Sequence, residues 1–239
     1  MNKLTIVSMS CVASLLVSPM AMADVKVRAG AASGSYSIDY KVKSTSVTTS
    51  VNAKYVPINL GASYVADNGF YVDLGYTGGT GTHDLYTTSE SFKRSDVALI
   101  AGKANVRESG FATTFYGGIK SGQTVLGSAT AFENKFTASG LVGGFGMNFP
   151  VGPGSLGVNA GLGLMGASWA QTGSTTDTAD AAVGFSFGLG YTLPITGSMG
   201  VVIDYKGNAY SYVFNSGLSN EYSIVEKTGA VGANFYAVF

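Results

Sequence analysis

His83 is the only histidine in this 239-residue chain, and Asp84 follows it directly. An imidazole beside a carboxylate is the usual opening for general-base chemistry, and Ser89 and Ser91 stand close enough in sequence to serve as nucleophiles. The surrounding stretch, 78–93, is rich in Thr, Ser and Gly and reads as a flexible connection. An exposed loop histidine is the simpler reading, and no catalytic residue is assigned. A second motif, Gly161 to Gly166, spells GxGxxG. A dinucleotide site needs that pattern between a strand and a helix, with an acidic residue about 20 positions further on. Here Ala167, Ser168 and Trp169 follow without helical period, and Asp177 and Asp180 fall in a loop. The glycines read instead as space for bulk from opposite strands, and no cofactor is expected. The single cysteine, Cys11, precedes the body of the chain, so neither a disulfide nor a thiolate metal site is expected.

The elements that carry these residues read as strands. Residues 1–23 have the form of an export signal: Lys3, an apolar run from Leu4 to Val17, Pro19, then Ala21-Met22-Ala23 as a small-x-small cleavage site. The expected barrel domain is 24–239. Charged residues make up only 12% of the chain and glycine is 34 of 239, yet no apolar window after residue 23 is long enough for a spanning helix. The formal net charge of zero argues against a nucleic-acid partner. Tight-turn chemistry marks 66–69, 106–110, 151–155 and 194–197. Five longer Ser/Thr/Asn/Gly-rich connections are expected at roughly 35–49, 78–93, 121–137, 169–181 and 211–224. Together they imply ten strands of about 9–13 residues, an even number that brings both ends to the short-turn side.

Alternation then assigns the faces. Residues 183–193 set Val183, Phe185, Phe187, Leu189, Tyr191 and Leu193 against Gly184, Ser186, Gly188, Gly190 and Thr192. Residues 141–149 and 156–164 repeat the pattern, while 95–104 resists phasing. A soluble sandwich would turn Lys, Glu and Thr to water, because glycine is unfavourable in strands. A membrane barrel suits both faces, with large apolar side chains on lipid and small or polar ones in the lumen. In hydrocarbon every backbone group must pair, so the sheet must close. The fold class is therefore all-β, a closed antiparallel transmembrane barrel of ten strands, with eight as the alternative.

The export segment, the amphipathic strands and a final strand with Phe239, Ala237, Phe235, Ala233 and Val231 on one face resemble the small outer-membrane barrels of the opacity-protein and outer-membrane-protein-A-like superfamily. Ala237 departs from the larger residue usual at the third position from the end. The resemblance implies a Gram-negative outer membrane, periplasmic short turns, surface-exposed long loops, contact with outer-membrane lipid and lipopolysaccharide, and Phe239 and Phe235 as part of the signal read by the barrel-insertion machinery. Omptin-type surface proteases also use ten strands, with acidic pairs and an Asp-His pair near the rim. This chain lacks an Asp-x-Asp pair, and its histidine precedes its aspartate.

Phasing turns Lys26, Arg28, Asp73, Lys120, Asp204 and Lys206 into the lumen. Arg28 on the first strand lies one strand from both acids and is expected to bridge Asp73 or Asp204, since unpaired charges there are costly. Tyr86, Phe92, Phe132 and Phe136 fall in the expected long loops and are candidate anchors for an unidentified surface partner. The functional expectation is a non-catalytic surface-binding or adhesin-like barrel, with a small passive channel as the alternative.

Overall fold

The computed structural model describes residues 24–45, 48–84, 90–127, 133–218 and 220–239; the expected export signal, 1–23, lies outside them. Ten strands follow in order: β1 Asp24–Val42, β2 Thr48–Val65, β3 Phe70–His83, β4 Glu90–Val106, β5 Ala112–Leu126, β6 Asn134–Val151, β7 Gly154–Gln171, β8 Asp177–Pro194, β9 Met199–Phe214 and β10 Tyr222–Val238. Each pairs antiparallel with its sequence neighbours, and β1 pairs with β10 to close the barrel. The seam is continuous: Val25 and Phe239 exchange backbone hydrogen bonds of 3.1 and 2.9 Å at its lower end. No strand edge is left open to lipid, as hydrocarbon requires.

Four short connections at the lower end, 66–69, 107–111, 152–153 and 195–198, join strands through tight turns. In the first, Gly69 takes φ 80°, a left-handed conformation that glycine adopts without Cβ strain, and the Phe70 amide donates to Asn68 Oδ1 at 3.0 Å. The five upper connections are much shorter than the sequence suggested, because the strands run on through the Ser/Thr-rich stretches. β3, the shortest, has 14 residues and β1 has 19.

The reason is a change of phase along each strand. In β1, Val25, Val27, Ala29 and Ala31 face outward, while Lys26 and Arg28 face the lumen. Above residue 32 the outward side becomes Ser33, Ser35, Ser37, Asp39 and Lys41, and the inward side becomes Tyr36 and Ile38, which are buried, with Tyr40 partly buried above them. β6 does the same: Leu141, Phe145, Met147 and Phe149 face out below, Ser139, Thr137 and Lys135 above, with Ala138 and Phe136 buried inside. The lower half thus wears an apolar belt. Nine residues at about 3.3 Å each, tilted about 40°, give it a height on the order of 20–25 Å, which matches the lipid-facing band of membrane barrels. The upper half reverses the arrangement, with a polar wall around an apolar aromatic interior. That is the layout of a protein in water.

The belt's upper limit sets the cost of charge on the outer wall. Leu141→Arg, inside the belt, should destabilise the barrel by about 2–4 kcal/mol in equilibrium refolding into lipid vesicles, whereas Thr137→Arg, four residues higher on the same face, should change it by less than about 1 kcal/mol. Equal costs at the two positions would place the boundary elsewhere.

Candidate functional site

The lumen is filled at successive heights. Near the lower end, Arg28 donates bidentately to Asp73, Nη1 to Oδ1 at 2.6 Å and Nη2 to Oδ2 at 2.9 Å. Arg28 is on β1 and Asp73 on β3, so the guanidinium must cross β2. It crosses at Gly61, its register partner, where any Cβ would collide with the guanidinium. Asp204 is held by Lys206 at 2.9 Å and by Asn234 Nδ2 at 3.2 Å instead. Lys26 sits 3.6 Å from the centre of the Tyr236 ring, a cation–π geometry.

A second cluster lies higher. Arg94 donates through Nε and Nη2 to the two carboxylate oxygens of Asp96, at 2.9 and 3.0 Å. Its Nη1 donates to Thr124 Oγ1 at 2.8 Å and to Glu226 Oε1. Arg94 and Thr124 belong to β4 and β5, while Glu226 belongs to β10 on the far side of the barrel. The planar fork of one guanidinium therefore straps opposite walls together, a geometry that suits arginine and not lysine. Lys120 joins from β5, 3.6 Å from Asp96 and 5.2 Å from the Tyr210 ring centre.

The sequence alone named Lys120 but missed Arg94, Asp96 and Glu226. The signal was present in the alternation of Phe92, Arg94 and Asp96 with Ser91, Lys93 and Ser95. It was masked by the run Val97 to Ala101, apolar on both faces because Ala98 and Ile100 pack inward.

Aromatic side chains occupy the space around and above these charges. Tyr36, Tyr210, Tyr212, Phe92, Phe136 and Phe214 are almost wholly buried. Phe92 packs on Tyr36 and Tyr55, each with ring centres 5.1 Å apart, and Phe136 meets Tyr212 edge-on at 5.2 Å. These two phenylalanines are consequently not exposed loop anchors. They sit in β4 and β6, at 0% and 1% exposure, because the strands extend through the stretches read as loops. Tyr86 and Phe132 lie outside the described residues.

Of the GxGxxG glycines, Gly163 makes room for an aromatic ring, and the ring comes from the same wall and not the opposite one. The Tyr210 ring from β9 lies over Gly184 on β8 and Gly163 on β7, where an added Cβ would stand 2.8 Å from the ring. A glycine beside an aromatic on the next strand is a recurrent way of filling a barrel.

His83 closes β3 with only 3% exposure, its Nε2 3.8 Å from Glu90; it is not an exposed loop residue. Asp84 accepts a 2.8 Å hydrogen bond from the Asn52 amide. Ser91 donates to the Gly127 carbonyl at 2.6 Å, and Ser89 lies outside the described residues. Among the described residues no group of three His, Cys, Asp or Glu is placed to hold a metal ion. Phe235 and Phe239 face outward at the lower end, exposed on the belt.

No protein-family model and no curated protein matches the chain. Solved structures do. The outer membrane protease OmpT from Escherichia coli superposes with a TM-score of 0.64 at 8% identity, over 94% of this chain and all of that one. The translocator domain of the autotransporter NalP from Neisseria meningitidis gives 0.46 at 13% identity, over 95% and 93%. Neisserial surface protein A gives 0.39 at 14%, over 89% and 96%. The OmpT likeness shows the fold, that of an outer-membrane β-barrel, and nothing of its chemistry.

Removing the Arg94 fork strands two buried carboxylates. Arg94→Ala should cost about 3–5 kcal/mol in denaturant unfolding followed by Trp169 fluorescence, and Arg94→Lys should recover little, since a single ammonium cannot hold Asp96, Thr124 and Glu226 at once. Lys227→Ala, which removes the exposed 2.6 Å pair with Asp39, should cost less than about 1 kcal/mol.

Proposed function

We propose that this protein is a non-conducting barrel of the Gram-negative outer membrane that displays a rigid β-tube above the lipid as a surface for binding a partner. The observation that carries the reading is the Arg94–Glu226 contact, which spans the lumen just where the aromatic fill begins. A channel needs a continuous aqueous path, and this strap crosses it. The tube above the belt supports a binding role, since a polar outer wall over an aromatic core is stable in water and gives the upper strand ends a rigid base.

In this reading residues 1–23 direct export and are cleaved. Phe239 and Phe235 on the last strand contribute to recognition by the insertion machinery. Phospholipid and lipopolysaccharide cover the belt. The kinship with opacity-like barrels rests on the alternation and the terminal strand. No reaction is assigned: His83 is buried with Nε2 3.8 Å from Glu90, and the Asp84 carboxylate accepts the Asn52 backbone amide at 2.8 Å.

The passive channel is the competing reading, and recording in planar bilayers separates the two. The wild-type protein should insert without steady conductance, and the double variant Arg94→Ala/Tyr210→Ala should conduct. Steady single-channel current through the wild type would overturn the proposal.

A further inference from the structure

The mouth of the tube holds a cavity of about 290 Å³. Its walls come from both sides of the barrel: Tyr40 from β1, Tyr222 from β10 and Trp169 from β7, with Ile38 and Leu126 beneath. The Tyr40 and Tyr222 ring centres are 4.9 Å apart with planes differing by 40°, and Tyr222 is also stacked on Phe214 with ring centres 4.8 Å apart, so the Tyr222 faces pack on neighbouring rings. One ionisable group other than the two tyrosines lines the cavity, the Asp177 carboxylate, which accepts the Tyr222 hydroxyl at 2.8 Å. Asp177 is the register partner of Trp169, so carboxylate and indole belong to the same wall. Among the described residues no lysine or arginine lines the space. At the rim Lys43 is paired with Glu221 at 3.0 Å, and the hydrogen bond from the Gly217 amide, with Lys43 beside it, holds the Glu221 carboxyl below its ordinary pKa. That pair brings no net charge to the mouth.

Aromatic faces carry negative quadrupole density, and they attract a cation most strongly when it is a poorly hydrated ammonium. Two such rings, Tyr40 and Trp169, beside one carboxylate, in a space too small for a drug-sized molecule, define a ligand chemistry. We infer that the mouth cavity is a binding site for a small ligand carrying a quaternary or alkylated ammonium group on a short apolar body, the ammonium held against the Tyr40 and Trp169 rings with Asp177 as counter-charge. The inference rests on the reading of the outer end as the binding end, and names the class of ligand it takes. The Tyr222 hydroxyl orients the carboxylate, and a carboxylate oxygen that accepts one hydrogen bond retains a lone pair for the cation.

The chain has a single tryptophan, so emission under tryptophan-selective excitation reports on Trp169 in the cavity wall. The protein is purified in a maltoside detergent, which has no ammonium headgroup to compete, and titrated at constant ionic strength with choline, with phenyltrimethylammonium and with 3,3-dimethylbutan-1-ol, the neutral isostere of choline. Both ammonium probes should change Trp169 emission saturably and the neutral isostere should not. Asp177→Asn should weaken binding roughly tenfold and Tyr40→Ala by a similar factor, while each variant keeps the different gel mobility of boiled and unboiled samples that marks a closed barrel. No saturable change with either ammonium probe would overturn the inference while leaving the non-conducting barrel intact. Equal binding of the neutral isostere, unaffected by Asp177→Asn, would also overturn it, in favour of a site for uncharged apolar molecules. Conductance of the wild type would instead remove the reading on which it rests.

Discussion

A backbone amide in hydrocarbon has no water to bond, and each unpaired one costs several kcal/mol. The β1–β10 seam is the answer to that cost. It runs from Lys26–Val238 to Val42–Tyr222 without a gap, so the first and last strands leave no open edge where they meet. Once the ring is closed, every residue has only two environments, and the alternation of side chains is forced by the pleat. What remains for the sequence to decide is which environment is apolar, and at what height.

That decision is made twice. Around the lower half, lipid is the apolar partner and the lumen takes Lys26, Arg28, Asp73, Asp204 and Lys206, paired with one another or laid on Tyr236. Around the upper half, water is outside and the apolar partner has to be supplied from within, by Tyr36, Tyr212, Phe92, Phe136 and their neighbours. Arg94, Asp96, Lys120 and Glu226 mark the join. A desolvated ion pair is tolerable there only because the guanidinium fork satisfies three acceptors at once. The same join crosses the lumen from β4 to β10, at the height where the two arrangements meet. The mouth cavity lies at the top of the upper core, and its aromatic walls continue the stack below it.

Much of this was legible in residue order. The strand number, the closure and the outward face of 183–193 follow from period-two alternation and turn chemistry. Lys26, Arg28 and Asp73 could be turned inward from phase alone. The pairing of Arg28 could not be chosen between Asp73 and Asp204, because that choice depends on Gly61 giving passage across β2, a three-dimensional fact. The upper strands were misread as loops because their alternation is out of phase with the lower half. Judged by a lipid-facing rule, Ser35 and Ser37 read as loop polarity when they are the wet face of a strand. Phe92 and Phe136 were displaced by the same error. Where Ala98 and Ile100 made β4 apolar on both faces, the phase vanished and Arg94 and Asp96 with it.

The central claim is the reversal of the two faces at one height. It is read most directly by spin labels placed on single cysteines along β6, at outward positions 149, 147, 145, 141, 139, 137 and 135, in a chain with no cysteine after Cys11. In lipid vesicles, collision with oxygen should dominate at 149 to 141 and collision with a water-soluble nickel chelate from 139 upward, with the crossover between 141 and 139. Oxygen-dominated collision continuing through 135, or chelate access already at 145, would contradict the account.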